Sequence, residues 1–371
     1  MKVIYFSLDY TPHDHRFLSA LAETEHEVFY VRLQRGPNQT EDRPVPAKVE
    51  QVLWAGGKRE FRWIDLPKYV MKLRRIVKRI QPDLIHAGPI QDAGLLAALT
   101  GFHPLLSVSW GFDLIQDAER NAFYRHATRY VLRHADAFAG DCEATRERAI
   151  AFGMPRERTV VFPWGVDLQQ FSPQRSAASH QRETKGFTLL CNRSWEPRYG
   201  MDVLARAFVR VAGVRPDVNL LLLGEGSLAA DIHRILERGG VSDRVQYGGR
   251  VSQTELPRYY HMADLFISPS HVDGSSVSLL EALACGLPVI VSDIPANCEW
   301  VTDSVNGWLF PDGDTDALAA KILQVLEKRK AMQEMGRAAR ATAERRADWK
   351  KNFPKLLEAY QIAVAHRRNK A

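Results

Sequence analysis

The sequence predicts an α/β protein of two doubly wound parallel-sheet domains, and three observations carry that expectation. Its 371 residues exceed the roughly 250–300 at which a single core tends to split. In both halves, short apolar runs alternate with segments of helical periodicity, the pattern of strand–helix–strand crossovers on a parallel sheet. Between the halves, Pro173 to Arg182 has almost no large apolar side chain and no periodicity, so a surface linker is expected over 172–185.

In the first half, residues 3–8 read as a buried strand and 16–23 as a helix with Phe17, Leu18 and Leu21 on one side. Residues 27–33 are again a strand, 69–80 a helix closed by Pro82, and 83–86, 105–109 and 137–139 further strands. In the second half, strands are expected at 187–191, 218–223, 245–247, 265–267, 288–291 and 307–310, with helical segments between them. Residues 331–369 read as helical with a break near Pro354. Ligands of such folds sit beyond the carboxyl ends of strands, so the loops there are where chemistry is sought.

Composition excludes several classes. Hydrophobic residues at 45% and charged residues at 25% are ordinary for a globular chain and unlike a disordered or fibrous one. No run reaches the ~18 apolar residues of a membrane span, and the apolar start turns polar at Asp9, too soon for a signal-peptide core. The four cysteines, Cys142, Cys191, Cys285 and Cys298, form no C-x-x-C pair, which suits a reducing, cytoplasmic setting. The net charge of +6 is unevenly placed: residues 328–371 hold 13 Lys/Arg against 4 Asp/Glu, and 68–79 hold six basic residues and no acid. Two local runs are not the broad basic face of a nucleic-acid binder. They suit a local anionic partner such as a phosphate or a membrane surface.

Leu223-Gly224-Glu225-Gly226-Ser227-Leu228-Ala229 fits G-x-G-x-x-A after a strand, the form of a dinucleotide fingerprint. That fingerprint also needs an acid about 20 positions on, where this chain reads Val245-Gln246-Tyr247-Gly248-Gly249-Arg250. A dehydrogenase is therefore disfavoured. Two glycines between strand and helix still permit close backbone approach to a nucleotide.

The strongest signal runs from Ser268 to Ile290. A strand ends in a small-residue loop, Asp273-Gly274-Ser275-Ser276, which opens a helix that stops at Gly286 before a new strand. The helix N-terminus presents unpaired N–H groups and a positive dipole end, and small residues let an anion approach them. Asp273 and Glu281 can bracket that phosphate site as hydroxyl binders. A plainer alternative is that Ser278-x-x-Glu281 is a capping box.

These residues resemble the Glu-x7-Glu motif of the retaining family 4 glycosyltransferases of GT-B fold. They are closest to a subgroup reading D-G-x-S-V-S-L-L-E-A and, earlier, E-P-x-Y-G. The resemblance extends through Asn192-Arg193-Ser194-Trp195-Glu196-Pro197-Arg198-Tyr199-Gly200, Pro163-Trp164-Gly165, Gly249-Arg250-Val251 and Asn306-Gly307-Trp308. It implies two Rossmann-like domains facing a cleft: 1–168 for the acceptor, joined by a C-terminal helix 347–371 that returns to it, and 169–346 for the nucleotide-sugar donor. It also implies site roles. Glu281 holds the donor ribose, and Asp273, one methylene shorter than the usual Glu, contacts the transferred sugar. Backbone N–H groups of Gly274, Ser275, Ser276, Val277 and Ser278 face the diphosphate, and Arg193 binds phosphate. Gly224 and Gly226 line the nucleotide pocket, while Arg250 and Val251 meet the base. Tyr199 stands where the family usually has Lys, and Arg198 either substitutes for it or points to solvent.

The first half departs more. Where a Gly-Gly loop is usual, the chain reads Asp9-Tyr10-Thr11-Pro12-His13-Asp14-His15-Arg16. His13, Asp14 and Arg16 are candidate contacts to donor or acceptor, and His13 and His15 read equally well as surface residues. In Ser109-Trp110-Gly111-Phe112-Asp113, Trp110 replaces a usual His, and Asp113 remains a hydroxyl-binding candidate. The basic helix 68–79 is either an ordinary core-packing helix or a contact to anionic lipid on the inner face of a membrane. The expected activity is retaining, metal-independent transfer of a hexosyl unit from a UDP- or GDP-sugar to a glycan, lipid-linked or small-molecule acceptor. The sugar nucleotide is a co-substrate; no cofactor and no nucleic-acid partner are expected. A nucleotide-sugar epimerase of the same fold and a catalytically degenerate nucleotide-sugar-binding subunit are the alternatives.

Overall fold

The computed structural model describes residues 1–36, 41–173 and 186–369. The expected linker at 172–185 lies, from residue 174 onward, outside the described residues. The chain parts into two compact units, Met1–Pro163 with Phe353–Ala371, and Trp164–Asn352. The first unit thus ends before residue 168, and its returning segment starts after residue 347. Hydrogen bonding accounts for both shifts. Val166 N–H donates to Ala347 O at 2.7 Å and Trp349 N–H to Val166 O at 3.1 Å, so the two segments pair with each other inside the second unit. Gly165 sits at φ +68, and a Cβ there would lie 2.8 Å from Ala347 O.

In the first unit the strands are β1 (Lys2–Ser7), β2 (Glu27–Arg32), β3 (Glu50–Gln51), β4 (Leu84–Gly88), β5 (Leu105–Val108), β6 (Ala137–Gly140) and β7 (Thr159–Val161). They form one parallel sheet in the order β3-β2-β1-β4-β5-β6-β7. The central strands are buried on both faces, so they read as unbroken apolar runs and not as alternation. Ile4, Phe6, Ile85 and Leu105 pack with Leu73 and Ile76 of the helix Leu66–Ile80. The edge strands β3 and β7, two and three residues long, carry too little pattern to be read from sequence. The first helix, Pro12–Ala22, begins four residues before the expected start. Thr11 and Asp14 form a capping box there, and Pro12 opens the helix, where its missing N–H costs nothing. The C-terminal helix Pro354–Arg368 packs on β5, β6 and β7. Its fully buried Tyr360 bonds through the hydroxyl to His86 Nδ1 at 2.9 Å.

In the second unit the strands are β8 (Phe187–Cys191), β9 (Val218–Leu223), β10 (Val245–Gly249), β11 (Leu265–Ser268), β12 (Val289–Ser292) and β13 (Trp308–Phe310). The sheet is parallel, in the order β10-β9-β8-β11-β12-β13. Successive side chains go to opposite faces: Leu189, Leu220 and Leu222 join one core, and Leu190, Leu221 and Leu223 the other. The strand order reverses between β8 and β11, which puts the loops after those two strands at the switch point of an open α/β sheet.

Candidate active site

Arg193 follows β8 by two residues and anchors the site. Its Nη2 donates to Asp273 Oδ2 at 2.6 Å, and its Nη1 to the Oγ atoms of Ser276 and Ser278, each at 2.8 Å. The guanidinium lies 4.2 Å from the centroid of the Tyr199 ring, a cation–π contact that covers one face. Only 9% of Arg193 is exposed, and Nε has no hydrogen-bond partner among the described residues. Burial opposes the guanidinium charge, but the facing Asp273 carboxylate outweighs it and holds the Arg193 pKa above its usual range. Burial pushes the Asp273 carboxyl above the usual carboxylate range, against the pull of Arg193 and a Ser276 hydrogen bond.

Asp273 belongs to the loop after β11, and that loop opens the helix Val277–Ala284. Ser276 is the N-cap residue, but its side chain makes no capping bond; its Oγ is taken by Arg193 and lies 3.0 Å from Ser278 Oγ. Two of the small side chains thus aim a fixed cation at the positive end of the helix. Because Ser276 and not Ser278 caps the helix, the Ser278/Glu281 capping box does not form. Ser275 Oγ accepts from Trp300 Nε1 at 3.0 Å, and the Arg346 guanidinium sits 4.4 Å over that indole.

Glu281, only 2% exposed, accepts from Tyr260 Oη at 2.8 Å. The same hydroxyl lies 3.0 Å from Ser278 O and accepts from Asn192 Nδ2 at 2.8 Å. Tyr260 and Asn192 were not foreseen as site residues. Nothing in the local sequence marks Tyr260; it reaches Glu281 only because its helix, Leu256–Met262, precedes β11.

Other expected donor residues gather around the same edge. Arg198 accepts the His271 N–H through its carbonyl at 2.9 Å, and its charge acts favourably on ionised Asp273. The loop after β9 lies against the loop after β8: Trp195 N–H donates to Glu225 O at 3.0 Å and Leu228 N–H to Trp195 O at 2.9 Å. A Cβ on Gly226 would fall 2.5 Å from Trp195 O, and one on Gly224, at φ +87, 3.2 Å from Arg193 O. These glycines are required by the neighbouring loop, so the G-x-G pattern is explained without a ligand. Arg250 Nε lies 3.7 Å from Glu225 Oε1, and Val251 follows it half-buried. His271, two residues before Asp273, is paired through Nδ1 with Asp312 Oδ1 at 2.6 Å. Among the described residues, no group of three or more His, Cys, Asp or Glu side chains is arranged to hold a metal ion.

In the first unit two expected site carboxylates are engaged by internal hydrogen bonds. Asp14 lies in the first turn of the helix Pro12–Ala22. Fully buried, it accepts from Thr11 N, Thr11 Oγ1 and Tyr5 Oη, and burial raises its pKa to about 6. Asp113 is likewise consumed internally. It accepts from Ile90 N–H at 2.9 Å, Ser109 Oγ at 2.6 Å, and the N–H groups of Trp110 and Leu114 at 3.0 Å. It joins the β4 and β5 loops, with its pKa raised by burial to about 6. His13 and Trp110 do come together, with ring centroids 5.1 Å apart, and the buried indole N–H has no hydrogen-bond partner among the described residues. Arg16 is half-buried on the helix Pro12–Ala22.

Two parallel-sheet domains, with a cationic helix N-terminus at the switch point of the second, are the frame for the comparisons, and the family models and relatives together support a glycosyltransferase of GT-B fold. Residues 12–165 match the glycosyl transferase 4-like domain, and residues 174–342 match glycosyl transferases group 1. A GDP-mannose-dependent alpha-(1-6)-phosphatidylinositol monomannoside mannosyltransferase of Mycolicibacterium smegmatis is 27% identical over 307 residues, 79% of this chain and 80% of the relative. Among solved structures, a sucrose-phosphate synthase from Thermosynechococcus elongatus superposes with a TM-score of 0.81 at 19% identity, over 98% of this chain and 100% of that one. Anabaena HepE in complex with UDP-glucose superposes with a TM-score of 0.79 at 20% identity, over 97% and 99%. Neither the epimerase nor the inactive-subunit expectation finds support in these matches.

Proposed function

We propose that the protein transfers a hexosyl unit from a nucleotide-diphosphate sugar to a hydroxyl acceptor, with retention at the anomeric carbon and without a metal ion. The observation that carries this reading is the Arg193 guanidinium, clamped by Tyr199, Asp273, Ser276 and Ser278 against the N-terminus of Val277–Ala284. Cleavage of the sugar–phosphate bond leaves its electron pair on the diphosphate. A fixed cation and helix N–H donors aimed there act where charge develops, with no reorganisation at the moment of reaction. A guanidinium can meet two phosphate oxygens at once. Glu281 is assigned to the donor ribose, Asp273 to hydroxyls of the transferred sugar, and Arg198 to the diphosphate beside Arg193. The acceptor hydroxyl attacks the face the diphosphate leaves and gives its proton to the departing phosphate oxygen.

The mannosyltransferase and the UDP-glucose complex name two different donor nucleotides, so GDP-mannose and UDP-glucose head the candidates. The mannosyltransferase also supports a lipid-linked acceptor. The helix Leu66–Ile80 fits such an acceptor: its exposed face carries Lys68, Met71, Arg75, Lys78 and Arg79 and no acid. Ile64, 80% exposed, stands just before that helix, and Phe123, 49% exposed, packs on the adjoining Trp63 at 5.1 Å. Apolar side chains rimmed by Lys and Arg suit the headgroup region of an anionic bilayer. No helix among the described residues is long and apolar enough to cross one.

Incubation with UDP-, GDP- and ADP-sugars tests the reading. One of them should be hydrolysed slowly without acceptor, in the presence of chelator as in its absence, and Glu281→Ala should abolish the release of free sugar. Loss of activity on chelation contradicts the metal-free mechanism, and a changed but still nucleotide-linked sugar contradicts transfer.

A further inference from the structure

Arg193 and Asp273 are assigned to different parts of the donor, yet they hold each other. The side-on fork of a guanidinium, Nε and Nη2, is the pair of N–H groups that takes two oxygens of one phosphate. In Arg193 this fork is half filled: Nη2 donates to Asp273 Oδ2 at 2.6 Å, while buried Nε has no hydrogen-bond partner among the described residues. The other edge is not available to a ligand, because Nη1 is engaged by Ser276 and Ser278. One face of the plane is covered by Tyr199. The Asp273 and Arg193 side chains are 15% and 10% exposed, so water and salt screen their attraction little.

We propose that Asp273 is a built-in competitor for the phosphate fork of Arg193. A diphosphate that enters bidentately must displace the carboxylate from Nη2; Oδ1 keeps the Gly274 N–H at 3.1 Å, but Oδ2 then needs a new hydrogen-bond donor. A sugar nucleotide brings one, a hydroxyl of the transferred sugar; a bare nucleoside diphosphate does not. Asp273 thereby opposes the product more than the donor, and its return to Arg193 helps expel the nucleoside diphosphate after transfer. The inference rests on the donor reading above and adds the residue that tells the diphosphate from its sugar ester.

Calorimetric titration of UDP, GDP and ADP, and of the corresponding sugar nucleotides, into the full-length wild type, Asp273→Asn and Asp273→Ala tests it. Melting curves confirm that the variants are folded. Removing the competing charge should tighten nucleoside-diphosphate binding about fivefold or more, the effect of roughly 1 kcal/mol, and should leave sugar-nucleotide binding unchanged or weaker. If both variants bind the diphosphate as the wild type does, or less tightly, Asp273 only orients Arg193 and the competition does not exist. Failure of the wild type to bind any nucleoside diphosphate or sugar nucleotide overturns the donor reading itself, and the competition with it. Asp273→Asn guards against a cavity effect in Asp273→Ala: tightening confined to Asp273→Ala contradicts the proposal, because loss of charge alone should suffice.

Discussion

Gly226 shows how a single position carries more constraint than its composition suggests. The loop it occupies meets the Trp195 backbone so closely that an added Cβ would lie 2.5 Å from Trp195 O and 2.6 Å from its carbonyl carbon. Backbone atoms cannot swing aside as a flexible side chain does, so Gly226→Ala must push the two loops apart and strain the Leu228 N–H to Trp195 O bond. Overpacking of this kind costs about 1–3 kcal/mol; urea unfolding should show a loss in that range, and an unchanged midpoint would mean the loops are not tightly apposed. Arg193, Asp273, Glu281 and the Gly-Ser-Ser loop were legible because most lie in one contiguous stretch whose residue types state their chemistry. Tyr260 and Trp300 were not. Their hydroxyl and indole meet Glu281 and Ser275 across 21 and 25 residues of chain, a proximity that only the fold creates. Asp14 and Asp113 read in sequence as acids in loops, and only the fold shows that their oxygens are engaged by Thr11, Tyr5, Ile90 and Ser109.

At the scale of the element, the helix Pro354–Arg368 ties the end of the chain to the first sheet through Tyr360 and His86. Tyr360→Phe leaves buried His86 Nδ1 without this partner and should cost about 1–3 kcal/mol, read as a lowered unfolding midpoint. Burial pushes the His86 pKa from 6.5 down to about 3, so as pH falls below 6.5 the unfolded chain takes up the proton first. The stability His86 permits is complete above pH 6.5 and drains away toward pH 3. The gap in stability between wild type and His86→Phe should therefore narrow by about 2 kcal/mol between about pH 7 and about pH 5; a constant gap would show that His86 does not titrate this way. Most strands were readable because doubly buried strands are plain apolar runs of four to six residues. Helix starts were less so: Thr11-Pro12-His13-Asp14 holds a capping box and an N-terminal proline, but its two histidines drew attention to a loop instead.

At the scale of the whole molecule, the two units differ in what they present. The residues proposed to bind the donor gather in the second, while the first carries the basic face of Leu66–Ile80 and the exposed Ile64 and Phe123. Flotation with vesicles of anionic phospholipid should retain the wild type and release a Lys68/Arg75/Arg79 charge-reversal variant, with salt weakening the retention. Equal retention of both would remove the membrane from the account. The central claim is that Arg193 stabilises charge on a departing diphosphate. Its most direct test is the rate of nucleoside-diphosphate release from the preferred sugar nucleotide, compared between wild type and Arg193→Ala proteins of similar melting temperature. The account predicts a fall of about 100-fold or more, the usual effect of removing one preorganised donor; a rate within about threefold of wild type would contradict it.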